Sequence, residues 1–244
     1  YQRNDTFREI EELKSGLDLV TVCEEARCPN IDECWSAGTA TFMLMGDVCT
    51  RRCGFCAVTK GAPRQLDPSE PEHTAEAIRR MKVKHAVITS VNRDDLPDGG
   101  GAHFAATVKA IRQASPDTRV ELLVPDFQGN RAALEEVLAA EPHIVAHNTE
   151  TIPRLYRRVR PQANYEQTLR VLQWIHEWPN VISKTGLMLG LGEEDEEVED
   201  VMWELREVGC QILSLGQFLS PTTKHLPVER WATPESFERL AEIG

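Results

Sequence analysis

The sequence predicts an α/β fold in which six parallel strands form a partial (β/α)6 barrel. From residue 41 onward, six short runs rich in Val, Ile, Leu or Thr alternate with amphipathic helical patterns. Parallel neighbours require a long crossover connection, and each repeat spans about 34 residues, the size of a βα unit. A full barrel of eight units needs roughly 250 residues, so six units leave the barrel partly open. A doubly wound open sheet is the alternative.

The pattern also indicates where the elements begin. Asn130 and Asn164 occupy N-cap positions ahead of helical patterns, and Thr233 followed by Pro234 starts the last helix. Residues 1–40 stand outside the repeat, so we expect an N-terminal extension (1–40) and a barrel domain (41–244). The last helical pattern runs to Gly244, and we expect both chain ends to be incomplete. The strands are predicted at 41–48, 85–91, 119–125, 143–149, 182–190 and 212–219.

Composition narrows the class of protein. The 244 residues are 41% hydrophobic, enough for a large core, and the net charge of -12 opposes contact with nucleic acid or anionic membrane. No apolar run approaches the roughly 20 residues of a membrane span, and no secretory signal precedes the first helix. We expect a cytoplasmic monomer with no nucleic-acid or membrane partner.

Three cysteines, Cys49, Cys53 and Cys56, form a CxxxCxxC pattern directly after the first predicted strand. Three thiolates can hold three corners of a 4Fe-4S cluster and leave the fourth iron open to another ligand. Arg51 and Arg52 lie between them and are expected to favour the thiolate form. A zinc site is the alternative, but it requires a fourth ligand, and no His lies close in sequence.

A second triplet, Cys23, Cys28 and Cys34, has the wider CxxxxCxxxxxC spacing and precedes the barrel. These cysteines lie among charged residues, which disfavours three unrelated core positions. Clustered cysteines in a chain expected to be cytosolic favour metal over disulfides. We therefore predict a second metal centre in the extension, and we assign the isolated Cys210 to the core.

Together these motifs resemble a known family. CxxxCxxC with Phe55 before its last cysteine, at the end of the first strand of a six-unit barrel, resembles the radical S-adenosylmethionine (SAM) superfamily. Combined with the upstream triplet, it is similar throughout to the lipoyl synthase family. The other segments that carry this resemblance are SVNRDDLPDGGGAHF (90–104), HNTETIPRLYRRVRPQANY (147–165), KTGLMLGLGE (184–193) and QFLSPTTKHLPV (217–228).

The resemblance implies an activity, its cofactors and its partners. Members of the family insert two sulfur atoms at C6 and C8 of a protein-bound octanoyl-lysine, forming the lipoyl group. They use S-adenosyl-L-methionine and two 4Fe-4S clusters, of which Cys49, Cys53 and Cys56 would hold the SAM-binding one. Cys23, Cys28 and Cys34 would hold the auxiliary cluster, the sulfur donor. The expected partners are an octanoylated lipoyl carrier domain or H-protein-like substrate and an electron donor.

One motif of the family is missing from this sequence. A serine in an Arg-Ser-Ser motif near the C-terminus supplies the fourth ligand of the auxiliary cluster in the family. No Arg-Ser-Ser stretch occurs before Gly244. We therefore expect the auxiliary site of this chain to have three protein ligands.

Six further residues are candidates for cofactor binding. Asn148 and Glu150 end the fourth strand, where they could bind ribose hydroxyls, although an Asx turn has the same composition. Only one of His147 and Asn148 can face the interior, because side chains alternate along a strand, and we favour Asn148. Lys184 in the fifth strand could pair with the cofactor carboxylate. The full set of cofactor-binding candidates is Phe55, Ser90, Asn148, Glu150, Lys184 and Glu193.

Three other segments allow two interpretations each. Glycines 99–101 could expose backbone amides to a ligand, or could simply form a turn; the literal GGEP motif of the superfamily is absent. Glu193 is either a site residue or the start of an acidic helix turn. Basic residues 154–160 could form a solvated helix face or a docking patch for an acidic domain.

Two other functions are compatible with the same cysteine motifs. A noncatalytic metal or electron-transfer protein could carry both triplets. A radical methylthiotransferase acting on tRNA or protein also pairs two clusters, but no RNA-binding segment is visible at this net charge.

Overall fold

The computed structural model describes residues 3–244 and contains one six-stranded parallel sheet, with order β1-β4-β5-β6-β7-β8. Strands β2 and β3 pair in a separate two-stranded parallel sheet. All six predicted strands are confirmed. The strands are β1 (Thr41–Leu44), β2 (Val48–Cys49), β3 (Thr59–Lys60), β4 (His85–Ser90), β5 (Arg119–Leu123), β6 (Ile144–Ala146), β7 (Ile182–Leu189) and β8 (Ile212–Gln217).

Helices connect the strands of the sheet, and three more precede β1. The predicted N-caps are confirmed, since Asn130 accepts the N–H of Ala133 and Asn164 that of Gln167. No helix within residues 3–244 has the length and apolar character needed to cross a membrane. The helices are α1 (Asp5–Gly16), α2 (Val22–Glu25), α3 (Ile31–Ser36), α4 (Glu70–Met81), α5 (Gly101–Ala114), α6 (Arg131–Ala139), α7 (Tyr156–Val159), α8 (Tyr165–His176), α9 (Asp195–Glu207) and α10 (Pro234–Ile243).

The first strand is shorter than its apolar run predicts. β1 ends at Leu44, because Met45 and Gly46 adopt left-handed backbone angles with φ of 69° and 87°. The N–H of Met45 donates to the buried carboxylate of Glu70 and not to a neighbouring strand. The expectation that the cysteines follow the first strand directly is therefore wrong. Cys49 ends the short strand β2 instead.

The chain divides into two compact units. The first comprises the described part of Tyr1–Arg51 together with Ala57–His143. Residues 5–36 pack within this unit around Phe7 and Trp35, and Met43 of β1 donates its N–H to the carbonyl of Val20. The domain boundary predicted at residue 40 stays a prediction.

The second unit comprises Arg52–Cys56 and Ile144–Gly244. Its core lies between β7 and helices α8, α9 and α10, with Leu172, Leu187, Val198 and Leu240 almost fully buried. The acidic run at 193–200 opens α9, whose buried face includes Val198, as the helical pattern predicts.

Candidate functional site

The sulfur of Cys49 lies within reach of two backbone donors. The N–H of Arg51 lies 3.4 Å from Cys49 Sγ, and the N–H of Asn92 lies 3.3 Å from it. Asn92 is held in place because its carbonyl accepts both the N–H and the hydroxyl of Thr50. Hydrogen bonds to a ligand sulfur favour the thiolate that binds a metal. The chain therefore offers at Cys49 the donor set that a cluster ligand needs.

Arg51 does not act on the cysteines as the sequence suggests. Its guanidinium is 5% exposed and donates four hydrogen bonds to the carboxylates of Asp94 and Asp126. Although burial opposes it, this pairing raises the pKa of Arg51 above its usual range. The expectation that Arg51 favours the thiolate by its charge is wrong, because two carboxylates neutralise that charge. No sequence signal marks Asp126 as a member of this group.

Buried polar atoms without partners lie at the last residue of β4 and directly after this strand. Among the described residues, Ser90 Oγ, Asn92 Oδ1 and Arg93 Nη1 have no hydrogen-bond partner. The other guanidinium nitrogens of Arg93 bind Asp95. A buried polar group without a partner is costly, so these three atoms are available to bind a polar group that the protein itself does not supply.

Glycines 99–101 form the turn before helix α5 and allow close packing there. Asp98 accepts the N–H groups of Gly100 and Ala102, which caps helix α5. A Cβ atom on Gly100 would lie 2.3 Å from the sulfur of Met45, and Gly100 has a φ of 90°. The N–H groups of Gly100 and Gly101 therefore bind Asp98, and that of Gly99 binds the carbonyl of Leu96, which favours a turn over a ligand site for these glycines.

In the second unit, the segment Cys53–Cys56 is fixed by backbone hydrogen bonds. Gly54 donates its N–H to the carbonyl of Val159 at 2.8 Å and accepts the N–H of Leu226 at 3.1 Å. A Cβ atom on Gly54 would lie 3.0 Å from the Leu226 side chain, so glycine allows this close approach. Phe55 packs against the apolar core of the same unit.

Strand β6 ends at Ala146, so Asn148 and Glu150 follow this strand and do not end it as the sequence predicts. The side chain of Asn148 lies beside β7, on the face that carries Lys184. The side chains of β7 alternate, with Ser183, Thr185 and Leu187 buried and Lys184 and Gly186 half-buried. The amide of Asn148 lies against Gly186. His147 points the other way, since it is 2% exposed and its ring contacts Thr168 of α8. The choice of Asn148 over His147 agrees with this alternation.

Glu150 joins Asn148 on this face through a direct hydrogen bond. Asn148 Nδ2 donates to Glu150 Oε1 at 3.1 Å. Glu150 also forms an isolated bridge with Leu187, with its φ at 67° in the left-handed region. Burial raises the pKa of Glu150 above 4.5, although Arg160 and the Asn148 amide oppose this shift. The arrangement places a carboxylate, an amide and an amine side chain on neighbouring positions.

The basic residues at 154–160 do not form one solvated face. Arg160 is 9% exposed and donates to the carbonyls of Asn148 at 2.6 Å and Thr149 at 3.2 Å. Arg154 pairs with Glu197, and Arg158 pairs with Glu229. Three of the four arginines in this run therefore bind groups of their own unit. Sequence reasoning missed the role of Arg160 because the run looks uniform.

Glu193 is the most buried of the candidate residues, at 1% exposure. Its two carboxylate oxygens accept the N–H groups of Gly190 and Leu191, and Arg230 donates to Oε1 at 2.9 Å. Helix α9 begins after it, at Asp195. These contacts hold the turn that follows β7.

The upstream cysteines lie close to one another in the first unit. Cys23 belongs to α2 and Cys34 to α3, and the N–H of Cys28 donates to the carbonyl of Cys23. Burial first, and then the charges of the Cys28 and Cys23 thiolates, raise the pKa of Cys34. Cys23 and Cys34 both pack against the apolar cluster around Phe7 and Trp35.

No three Cys, His, Asp or Glu side chains within residues 3–244 converge closely enough for a single metal ion. In a four-iron cluster each thiolate binds a different iron atom, so its ligands spread more widely than those of one ion. None of the seven cysteines, all of which lie in the described part of the chain, forms a disulfide, and all are half-buried.

Comparison with sequence families and curated proteins gives consistent matches. Residues 43–204 match the Radical SAM superfamily. The lipoyl synthase of Rubrobacter xylanophilus is 55% identical over 98% of this chain and 74% of its own length. The lipoyl synthase of Caldanaerobacter subterraneus subsp. tengcongensis is 48% identical over 99% of this chain and 85% of its own length.

Solved structures share the fold at low sequence identity. Methylornithine synthase superposes with a TM-score of 0.64 at 13% identity, over 100% of this chain and 73% of its own. The FeFe-hydrogenase maturase HydG gives 0.65 at 14% identity, over 100% of this chain and 61% of its own. These likenesses, with the six parallel strands, confirm the predicted α/β fold of radical SAM type.

Proposed function

The chain belongs to the lipoyl synthase family of the radical SAM superfamily, and we propose that the six clustered cysteines hold the two iron-sulfur clusters of that activity. The reaction is the insertion of two sulfur atoms at C6 and C8 of an octanoyl chain on a carrier protein. Cys49, Cys53 and Cys56 bind the SAM-binding cluster. Cys23, Cys28 and Cys34 bind the auxiliary cluster, within an extension that covers residues 1–40.

One observation carries this proposal, the environment of Cys49. Its sulfur accepts two backbone N–H groups, and the adjoining segment holds the buried, unpartnered atoms Ser90 Oγ and Asn92 Oδ1. Both features fit a negatively charged cluster with a polar organic ligand beside it. When bound, the cluster and S-adenosylmethionine supply the radical that removes hydrogen from the octanoyl chain, and the auxiliary cluster supplies sulfur.

The remaining candidates bind and orient the cofactor. Ser90 fills its missing hydrogen bond with the cofactor, and Lys184 pairs with the cofactor carboxylate. Asn148 and Glu150 bind the ribose hydroxyls, supported by their mutual hydrogen bond and shared face. Phe55 contributes an apolar contact. Glu193 acts through the turn after β7, because its carboxylate oxygens are already bonded.

The proposal extends to partners and compartment. The substrate is a lipoyl carrier domain or an H-protein-like protein, and a separate electron donor reduces the clusters. The chain works as a monomer in the cytoplasm, where thiols stay reduced. The net charge of -12 supports the absence of a nucleic-acid partner.

Anaerobic reconstitution tests the proposal. The protein is loaded with iron and sulfide, then incubated with a reductant, S-adenosylmethionine and an octanoyl-lysyl peptide. We expect methionine, 5'-deoxyadenosine and the lipoyl peptide to form. Replacing Cys49, Cys53 or Cys56 with Ala should abolish cofactor cleavage. Replacing Cys23, Cys28 or Cys34 with Ala should leave the cleavage of S-adenosylmethionine unchanged but prevent sulfur insertion.

Cys210→Ala is the matched control, since Cys210 packs against the core of the second unit. It should leave both products unchanged. Loaded protein that cleaves no cofactor, or upstream variants that still insert sulfur, would contradict the assignment of the two triplets.

A further inference from the structure

We propose that Arg51 is a positioning residue, which holds the loop of Cys49 so that two backbone N–H groups stay directed at the Cys49 sulfur. It does so through the carboxylates of Asp94 and Asp126. The inference rests on the proposed function, because the hydrogen bonds act on a cluster bound at Cys49. Through them Arg51 sets how readily that cluster accepts an electron.

The geometry of this group is that of a fixed anchor. Arg51 Nε and Nη2 donate to the two oxygens of Asp94 at 2.8 and 2.9 Å. Nη1 and Nη2 donate to the two oxygens of Asp126 at 2.9 and 2.6 Å. Arg51 is 5% and Asp126 is 2% exposed. Buried bidentate pairs of this kind define side-chain position closely.

The anchor connects three segments of the first unit. Arg51 follows β2, Asp94 follows β4 and Asp126 follows β5. Further hydrogen bonds join the same segments: the Asp94 N–H donates to Thr50 Oγ1, and Gln128 Nε2 donates to the Asp94 carbonyl. The two residues that direct N–H groups at Cys49, Arg51 and Asn92, lie on two of these segments. Fixing the segments therefore fixes both N–H groups.

Arg51 could act through its positive charge or through the position that its hydrogen bonds fix, and the two hypotheses predict different results for Arg51→Lys. A lysine keeps the positive charge of Arg51 but cannot donate four hydrogen bonds to two carboxylates. If Arg51 acts by charge, Arg51→Lys changes little. If it acts by position, Arg51→Lys loosens the loop, weakens the hydrogen bonds to Cys49 and lowers the reduction potential of the cluster.

The experiment compares Arg51→Lys with Arg52→Lys in the full-length chain. Arg52 is the neighbouring arginine of the same motif, and its side chain is exposed, so the control makes the same chemical change. In metal-free protein, hydrogen-deuterium exchange of the Arg51 and Asn92 amides is measured by mass spectrometry. In cluster-loaded protein, the reduction potential is measured by electron paramagnetic resonance on the signal that S-adenosylmethionine perturbs.

For Arg51→Lys we expect exchange to be faster by about tenfold or more, the equivalent of losing one charge-assisted hydrogen bond. We also expect a more negative potential, while Arg52→Lys changes neither. Equal results for the two variants would overturn the proposal. Faster exchange without a change in potential, or the reverse, would also overturn it, since both effects must come from one cause.

Asp94→Asn serves as a second variant if Arg51→Lys does not fold, because Asp94 is 28% exposed. Removing its negative charge would by itself raise the potential, whereas a loosened loop lowers it and speeds exchange. Because these two effects on the potential are opposed, the exchange rate decides for this variant, and exchange of the Arg51 and Asn92 amides as slow as in the unaltered protein would refute positioning. If the unaltered protein binds no cluster at Cys49, the proposed function fails, and the metal-free exchange comparison still decides whether Arg51 positions the loop.

Discussion

The amide of Asn148 lies directly against the backbone of Gly186. A Cβ atom built on Gly186 would lie 2.9 Å from Asn148 Oδ1 and 3.2 Å from its amide carbon. Gly186 does not have a positive φ, so backbone conformation does not require glycine here. Because Gly186 has no side chain, the Asn148 amide can lie next to it, on the face that also carries Lys184 and Glu150.

Gly186→Ala should therefore weaken cofactor binding with little effect on folding. The new methyl group displaces the end of the Asn148 side chain and disturbs its hydrogen bonds. We expect the dissociation constant for S-adenosylmethionine to rise about fivefold, equivalent to about 1 kcal/mol. Calorimetric titration of cluster-loaded protein measures it. Gly216→Ala in β8 is the control, since nothing lies within 4 Å of a Cβ there; a similar rise in that variant would contradict the argument.

Glu150→Gln should reduce the pH dependence of stability. The folded protein raises the pKa of Glu150 above 4.5, so it keeps a proton that the unfolded chain releases. The contribution of Glu150 to stability therefore falls as the pH rises from 4.5 through the folded-state pKa. Glutamine stays neutral and removes this fall, so the variant should be more stable than the parent near neutral pH.

Urea unfolding of metal-free protein across this pH range measures the effect. Glu166→Gln, an exposed carboxylate at the start of α8, is the matched control and should follow the parent. The same Glu150→Gln variant should bind S-adenosylmethionine more weakly, because the amide offers one acceptor fewer to the ribose. If the free energy of unfolding of the parent protein rose with pH above 4.5, while that of Glu150→Gln stayed constant, the predicted direction of the pH dependence would be wrong.

The elements of the sheet were predictable because each strand is a local apolar run with nearby turn or cap residues. The strand end at Leu44 was not, since the run continues through Met45 and only the carboxylate of Glu70, distant in sequence, captures the Met45 N–H. Cysteine spacing is equally local, so the two triplets are visible in the sequence.

Pairings between distant residues were not visible in the same way. Nothing in the sequence near Asp126 indicates that it binds Arg51, and Arg160 looks like any other arginine of its run. Both are buried charges whose partners lie in other loop segments of the chain. The sequence therefore indicates candidate residues for the chemistry, while the residues that hold these candidates in place are identified only in the folded structure.

Arg160→Lys should destabilise the protein more than the same change at Arg157. Arg160 donates to two carbonyls at the end of β6, and its guanidinium lies 5.5 Å from the centre of the Tyr156 ring. Lysine lacks the planar guanidinium that donates to both carbonyls, and we expect the free energy of unfolding to fall by about 1–3 kcal/mol. Arg157 is exposed on α7, which ends directly before Arg160, and its replacement by Lys should cost less than about 0.5 kcal/mol. Equal unfolding midpoints in urea would contradict this difference.

A buried pair, Glu70 and His103, should control the turn that leads toward Cys49. Glu70 Oε2 lies 2.5 Å from His103 Nε2, and both oxygens of Glu70 lie within 3.1 Å of the Met45 nitrogen. The two side chains are 9% and 8% exposed. In the Glu70→Gln variant an amide replaces the carboxylate that binds the Met45 N–H and His103 Nε2. We expect this change to lower the free energy of unfolding by about 1–3 kcal/mol.

A double-mutant cycle with His103→Gln separates this pair from general damage to the core. The two changes should be non-additive by about 0.5–3 kcal/mol, because each removes the same contact. Glu72→Gln, an exposed carboxylate on the same helix, is the control and should be neutral. Additive effects of Glu70→Gln and His103→Gln in urea unfolding would show that the two residues act independently, and the turn at Met45 would then depend on Glu70 alone.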